Sequence, residues 1–549
     1  MAGLVSVSGA RAPASRAQAR WRQAAIGFAL TSALAWAFVG LDGRGFWIDE
    51  LFTRFVVDAQ GGLAGVWRRA LSDTQPPAYY LLLYGWTQVF GRSETALRSF
   101  SAVCASGAIG VWLAGSRGVF SRPARLFAAA VGAVSPFWFL QAQNARNYGL
   151  AMLLVSLVGV LAMRAHRADR QADPRLLAWT AALAAAGALA AFVHFYAFLA
   201  VGLVSAALLA SLRSTPARAL LVLAGVAIAA AQAAFMVELM RRTQADFHQL
   251  WFRNDIGFLA SQALEAAEDL AGPAAAVALA ALALARRAVP LNVEARWAAG
   301  LGLWVVAATL AIGAAVSLAF APSLSARNLL VASPLLWPLW AALWEKCEGW
   351  IGGVDARALA AAAVALQALT TAERLLPYGE PWRESAQFID QIPSCRGALT
   401  PVLMLRTFGP PTPFYRELTR RDFYGRYAVH LRPLVLDPAE IGDPAANPSL
   451  RPGAPCPVLA WAVHGLGRRD AETMTAALAR KAGPGGASLR TFMGWRFVWG
   501  LPVHARSGFV ILRGTPPGQA TASPRRGGPI GPGSPILAGP WLTTSPPRL

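Results

Sequence analysis

"PAYYLLLYGWTQVF", residues 77–90, is the stretch on which the topology of this chain turns. It is apolar enough for a membrane but only 14 residues long, whereas a crossing helix needs about 20. Its Tyr79, Tyr80, Tyr84 and Trp86 suit the headgroup level better than the hydrocarbon. It reads as an interfacial or re-entrant helix that does not cross.

The rest of the chain tests that reading. Of 549 residues, 55% are hydrophobic and 14% charged, with mean hydropathy +0.42. A soluble domain carries about 25% charged residues, so the composition is that of a polytopic α-helical membrane protein. Apolar stretches fall at 23–41, 96–115, 126–141, 148–163, 177–193, 195–212, 219–239, 271–285, 297–320, 328–345 and 356–372. Basic gaps recur in alternation. Arg117, Arg122 and Arg125 fill one; Arg164, Arg167, Arg170 and Arg175 the next but one. Arg213 with Arg218, then Arg286, Arg287 and Arg296, then Lys346 with Arg357 complete the set. The positive-inside rule makes these gaps cytoplasmic. The alternation holds only if 77–90 stays on the outer side, since a twelfth span would put the basic gaps on the wrong face.

The expectation is therefore about 11 transmembrane helices. A cytoplasmic tail (1–22) precedes a membrane domain (23–372), whose first outer loop (42–95) carries the interfacial helix. Residues 373–512 are far less apolar and contain strand-like pieces such as "LTPVLML" and "RFVWGL". They read as a small extracytoplasmic C-terminal α/β domain. The Pro/Gly-rich tail, 513–549, reads as disordered. The basic N-terminus with its long apolar run reads as a retained signal-anchor helix.

Lys+Arg 50 against Asp+Glu 29 gives +21. The arginines sit between apolar runs, as anchors at an anionic inner leaflet do, so a nucleic-acid partner is not expected. Of the four cysteines, Cys395 and Cys456 lie in the polar C-terminal third and could pair on an oxidising side. The absence of a CxxC pair argues against a cysteine-based zinc site.

The outer gaps gather polar groups from distant stretches. "FWIDELFTR" (46–54) holds Asp49 and Glu50, and "SDTQPPAYY" holds Asp73 and Gln75. "QAQNARNYGL" holds Gln141, Asn144, Arg146 and Tyr148. "AFVHFYAF" holds His194 and Tyr196, and "APSLSARNLLVASP" holds Arg327. Each alone has an ordinary explanation as a solvated flank, a snorkelling arginine or an aromatic belt. Several ionisable groups at one membrane face mark a functional surface, because each is costly near hydrocarbon.

"FWIDELFT", "DTQPPAYYLLLYGWTQVFGRSETALRSFSA", "QAQNARNYGL" and "SARNLLVASPLLWPL" resemble the GT-C superfamily of membrane glycosyltransferases. The likeness is to the bacterial relatives of protein O-mannosyltransferases and aminoarabinose lipid A transferases (glycosyltransferase family 39-like). It covers roughly residues 20–390, including "PWRESAQFI". The resemblance implies a polyprenyl-phosphate sugar donor and reaction at the periplasmic face of a bacterial inner membrane. The acceptor would be lipopolysaccharide or lipid A, another envelope glycan, or a protein. It places the general base on the acidic pair of the first loop; the expectation here is Asp49 as base, with Glu50 as orienting partner or, with Asp49, ligand of a possible divalent metal. Arg146 and Arg327 would clamp phosphate, since guanidinium forks match its oxygens. Asp73, Gln75, Tyr79 and Tyr80 would line the donor side, with Gln141, Tyr148 and His194 completing the binding set. An activated lipid-phosphate sugar needs no nucleotide site, and no Walker A or GxGxxG motif is present. One departure concerns Gln75: relatives carry His or Lys before the Pro-Pro pair, whereas Gln adds no charge and is a poor metal ligand. A lipid-linked sugar flippase, or a catalytically inactive scaffold, stays open as the alternative reading. A transporter usually places its ionisable groups nearer the midplane and often shows inverted repeats.

Overall fold

The computed structural model describes residues 16–243, 255–285, 289–320, 322–351, 354–371, 379–405, 412–498 and 501–514. After α1 (Arg16–Trp36) come three short helices, α2 (Ile48–Val57), α3 (Gly62–Ala70) and α4 (Ala78–Phe90). The bundle continues with α5 (Glu94–Gly115), α6 (Arg122–Ala133), α7 (Pro136–Ala142), α8 (Tyr148–Arg170), α9 (Leu176–Ala191) and α10 (Phe195–Ser211). Then follow α11 (Thr215–Thr243), α12 (Ile256–Leu284), α13 (Val293–Ala319), α14 (Ala326–Leu329), α15 (Trp337–Lys346) and α16 (Ala356–Thr371).

Among the described residues, five helices are long and apolar enough to cross a membrane: α5, α8, α11 over Thr215–Leu239, α12 and α13. A sixth arises if α6 and α7, bent by 67°, count as one broken span. The break has a local cause. Pro136 cannot extend a preceding helix, and Ser135 starts a new one by accepting the Trp138 amide at 3.2 Å. The other expected crossings differ in form. Three are met by the shorter apolar helices α9, α10 and α16, and α1 stops at Trp36. The stretch 328–345 is interrupted, because Pro334 lies in a 3₁₀ segment, Leu330–Leu336, between α14 and α15. Helix α8 is mostly buried at the bundle centre, while α11 presents Leu223 and Val226 outward.

Two sequence expectations shift. Part of the gap between the apolar stretches 219–239 and 271–285 is helix: α12 begins at Ile256, capped by Asp255, whose Oδ1 accepts the Phe258 amide at 2.8 Å. Glu265, Glu268 and Asp269 had masked its apolar face in the sequence. The run at 271–285 is only its second half, set off where Gly272 takes φ 65° before Pro273. The arginines at 286–287 and the tail from 515 onward lie outside the described residues.

The 77–90 stretch forms α4, a helix of 13 residues. Tyr79, Tyr80, Leu83 and Thr87 are buried along one side, whereas Leu82, Val89 and Phe90 are exposed. Beyond the bundle, α17 (Trp382–Asp390) precedes β3 (Leu399–Leu403), β4 (Arg432–Leu436), β5 (Val458–Ala462), β6 (Ala487–Val498) and β7 (Leu501–Arg513). An antiparallel pair of two-residue strands, β1 (Trp350–Ile351) and β2 (Val354–Asp355), lies earlier, between α15 and α16. The five-stranded sheet has the order β4-β3-β5-β7-β6, with β3 parallel to both β4 and β5 and the remaining pairs antiparallel. "LTPVLML" supplies β3; "RFVWGL" spans the end of β6 and the start of β7, with residues 499–500 outside the described set. Cys395 and Cys456 are joined by a disulfide, S–S 2.05 Å.

Candidate active site

The site is built on the first turn of α2, and its approach segment is held at four carbonyls and three amides by side chains. Buried amides and carbonyls need partners, and here side chains from distant elements provide them. Arg98 of α5 donates to the carbonyls of Leu41 (2.7 Å), Arg44 (2.9 Å) and Gly45 (2.9 Å). Arg383 of α17 donates to those of Asp42 (2.7 Å) and Arg44 (3.2 Å). Then three consecutive amides find acceptors. Phe46 donates to the Tyr427 hydroxyl (2.6 Å), Trp47 to Glu50 (3.3 Å) and Ile48 to Glu380 (2.9 Å).

Adjacent helical residues point about 100° apart, and the acidic pair divides accordingly. Glu50 turns inward with no exposed side-chain surface. Arg98 grips it with two bonds, Nε to Oε1 at 2.8 Å and Nη2 to Oε2 at 2.6 Å, and the Ala145 amide adds a third at 2.8 Å. Burial alone would push this carboxyl up, but the Arg98 charge and hydrogen bonds outweigh it and hold the pKa below its ordinary value. The expected role of Glu50 as metal ligand is corrected on this ground: both oxygens are committed to the fold. Asp49 turns the other way and keeps 26% of its side-chain surface. Its Oδ2 lies 3.5 Å from Arg327 Nη1, and the Arg327 guanidinium also sits 5.4 Å from the Trp47 ring.

Arg146 approaches from the turn between α7 and α8. That turn is fixed by neighbours: Gln143 Nε2 donates to the carbonyls of Trp36 (2.8 Å) and Val39 (2.7 Å), and Asn144 accepts from Trp47 Nε1 (2.9 Å). Arg146 Nη1 reaches the Tyr80 hydroxyl (3.2 Å), Thr53 Oγ1 (3.3 Å) and the Asp49 carbonyl (3.4 Å), with Asp73 Oδ2 at 3.9 Å. Its buried Nε has no hydrogen-bond partner among the described residues. Burial works against its charge, but Tyr80, Asp49 and Asp73 outweigh that and keep Arg146 protonated, its pKa well above the ordinary value. Tyr80 in turn donates to Asp73; burial and that carboxylate hold its phenol well above the usual range, so it keeps its proton.

Asp49, Asp73, Tyr80, Arg146 and Arg327 thus form one connected group. Gln75 borders it, accepting from Asn147 Nδ2 at 3.5 Å. The other expected binding residues support the group from behind. Tyr79 packs edge-on against Tyr80, ring centroids 5.3 Å apart. Gln141 accepts from Asn144 at 3.3 Å. His194 caps α10, its Nδ1 accepting the Tyr196 amide at 3.0 Å, and Tyr148 lies against its ring at 5.3 Å. Burial, then Arg146, lowers the His194 pKa to about 3, leaving it neutral.

A divalent metal does not fit this donor set. Glu50 is consumed by Arg98, Asp73 is engaged by Tyr80, and among the described residues no group of three His, Cys, Asp or Glu side chains could hold an ion. Hard cations need several oxygen ligands converging on one point.

Sequence reasoning missed Arg98, Glu380, Tyr427 and Thr53. Arg98 did carry a signal, as an arginine near the start of an apolar run. The other three sit in contexts with no distinguishing pattern.

Fold and site together define a multi-pass membrane protein with a polar centre where several helix junctions meet. Three solved structures resemble it. ArnT from Cupriavidus metallidurans, bound to undecaprenyl phosphate, is 14% identical over 91% of this chain and 98% of that one, with TM-score 0.49. Arabinofuranosyltransferase AftD from Mycobacteria is 16% identical over 92% of this chain and 40% of that one, TM-score 0.41. The oligosaccharyltransferase AglB from Archaeoglobus fulgidus, with an inhibitory peptide and a dolichol-phosphate, is 11% identical over 89% and 75%, TM-score 0.37. All three are GT-C fold glycosyltransferases. No protein-family model and no curated protein sequence matches the chain.

Proposed function

We propose that this protein is a membrane glycosyltransferase that moves a sugar from a polyprenyl-phosphate donor to a hydroxyl of an extracytoplasmic acceptor: a glycolipid such as lipid A, another envelope glycan, or a protein. The observation that carries the reading is the half-buried Asp49 carboxylate, 3.5 Å from Arg327, on a helix turn whose carbonyl and Thr53 hydroxyl meet Arg146. A base and two cations at one point are what the displacement requires. The acceptor oxygen gives its proton to Asp49 and forms a bond to the anomeric carbon, while the bond from that carbon to the phosphate oxygen breaks. Negative charge then grows on the leaving polyprenyl phosphate, where fixed cations are most effective. Arg327 exchanges part of its pairing from Asp49 to phosphate as the donor binds. Arg146 offers the unpaired Nε, and Tyr80 a hydroxyl held in place by Asp73.

The site lies on the outer side in the eleven-crossing topology, with the cytoplasmic tail and the extracytoplasmic sheet placed as the charge alternation requires. Cysteine labelling from outside tests this: residue 75 is expected to react and residues 117–125 to be protected. The chemistry is tested with purified protein, a radiolabelled polyprenyl-phosphate sugar and outer-membrane glycolipid. Label transfer is expected; donor crossing the bilayer without transfer identifies a flippase instead. Replacing Arg327 by Ala removes one charge-assisted contact. The expected loss is roughly 10–100-fold in kcat/KM for the donor, read by steady-state kinetics.

A further inference from the structure

We propose that Glu380, outside the membrane bundle, is a positioning residue for Asp49, acting as the cap of the helix that carries it. The proposal rests on the reading of Asp49 as the base. The first amides of a helix have no partner within it, and the three consecutive amides leading into α2 find side-chain acceptors. Those of Phe46 and Trp47 are taken by Tyr427 and Glu50. The Ile48 amide, immediately before Asp49, is met by Glu380 Oε2 at 2.9 Å across 332 residues of sequence.

The Glu380 carboxylate has no exposed surface and is itself fixed on both oxygens. Oε2 also accepts from Trp382 Nε1 at 2.8 Å, and Oε1 from His464 Nδ1 at 2.6 Å. Ile48 is 3% exposed, so water cannot readily replace this acceptor, and a buried amide without one makes its segment relax. A carboxylate at a helix N-terminus also lies favourably against the helix dipole. The link therefore ties the first turn of α2 to the start of α17 and, through His464, to the end of β5. That turn sets the reach of Asp49 to an acceptor hydroxyl, and an error near 1 Å there is enough to cost about 10²-fold in rate.

A merely structural glutamate would stabilise its own domain and leave the turnover of folded enzyme alone. The test uses the full chain in nanodiscs with Glu380→Ala, Glu380→Gln and wild type, reading donor kinetics and amide hydrogen exchange. For Glu380→Ala, kcat is expected to fall roughly 30–100-fold with donor KM within about threefold. Exchange over 46–50 is expected to rise at least about tenfold while β3 and β5 keep their protection. Glu380→Gln keeps one acceptor oxygen but loses the charge, so both readouts are expected to be intermediate, with kcat down about three- to fivefold.

Unchanged exchange over 46–50 in the alanine variant overturns the proposal. So does loss of protection in β3 and β5 in both variants, which makes Glu380 a prop of the sheet only. If only the alanine variant loosens the sheet, the glutamine variant decides: intermediate values support the proposal, and wild-type values overturn it. Asp49→Asn runs in parallel. Transfer that survives it removes the base assignment, while the exchange result still decides whether Glu380 holds the segment.

Discussion

Replacing Asp49 by Asn is expected to lower kcat for sugar transfer by about 10³-fold, within the 10²–10⁴ span of a general base, while donor KM changes little. The amide preserves volume and can still accept a hydrogen bond from Arg327, so α2 stays in place. It cannot take the proton of an acceptor hydroxyl. The split between kcat and KM is diagnostic, because Asp49 acts on the acceptor while the proposed donor-phosphate contacts come from Arg146 and Arg327. Single-turnover measurement with prebound donor isolates the chemical step. Wild-type rates there would remove Asp49 from the mechanism.

The second large effect is structural and lies one residue further on. Arg98→Met is expected to destabilise the protein by about 3–5 kcal/mol, the usual result of breaking a buried ion pair from one side. The substitution strands the Glu50 carboxylate and leaves the carbonyls of Leu41 and Gly45 without their donor, while that of Arg44 keeps only Arg383. Thermal unfolding in detergent reads the loss. The double variant Glu50→Gln with Arg98→Met should be less destabilised than the single, since no stranded charge remains. The same pair sets an acid response. The Glu50 pKa is lower in the folded protein than its ordinary 4.5, so its contribution is complete above about pH 4.5 and drains away as pH falls below it. Glu50→Gln should flatten that part of the stability–pH curve.

Particular residues show what could be read from the sequence. Asp49, Arg146 and Arg327 came from three distant motifs, and the alternation of basic gaps was enough to put them on one face. The same logic could not assign Glu50. Its inward turn depends on Arg98, 48 residues later, and an acidic pair looks the same in sequence whichever member is buried. Gln141 and His194 carried the chemistry of binding residues, and in the structure one hydrogen bond of each goes to Asn144 and to the start of α10. Such local capping has no long-range signature. Hydropathy located the apolar stretches but not their integrity: Pro136 and Pro334 break two of them, and Asp255 starts α12 well before its apolar half. Glu380 and Tyr427 were illegible for another reason. A single polar residue in a polar domain shows nothing until the fold brings it against a backbone amide hundreds of residues away.

Those two long links also impose an order on biogenesis. The segment carrying Asp49 leaves the ribosome well before its acceptors, which follow 332 and 381 residues behind the amides they receive. At about 5–20 residues per second the wait is on the order of 20–70 s, long enough for the early helices to enter the bilayer. Throughout that interval the amides of Phe46 and Ile48 have no native acceptor. On the proposed function, competence for transfer comes late, once Glu380 and Tyr427 reach a loop synthesised long before them.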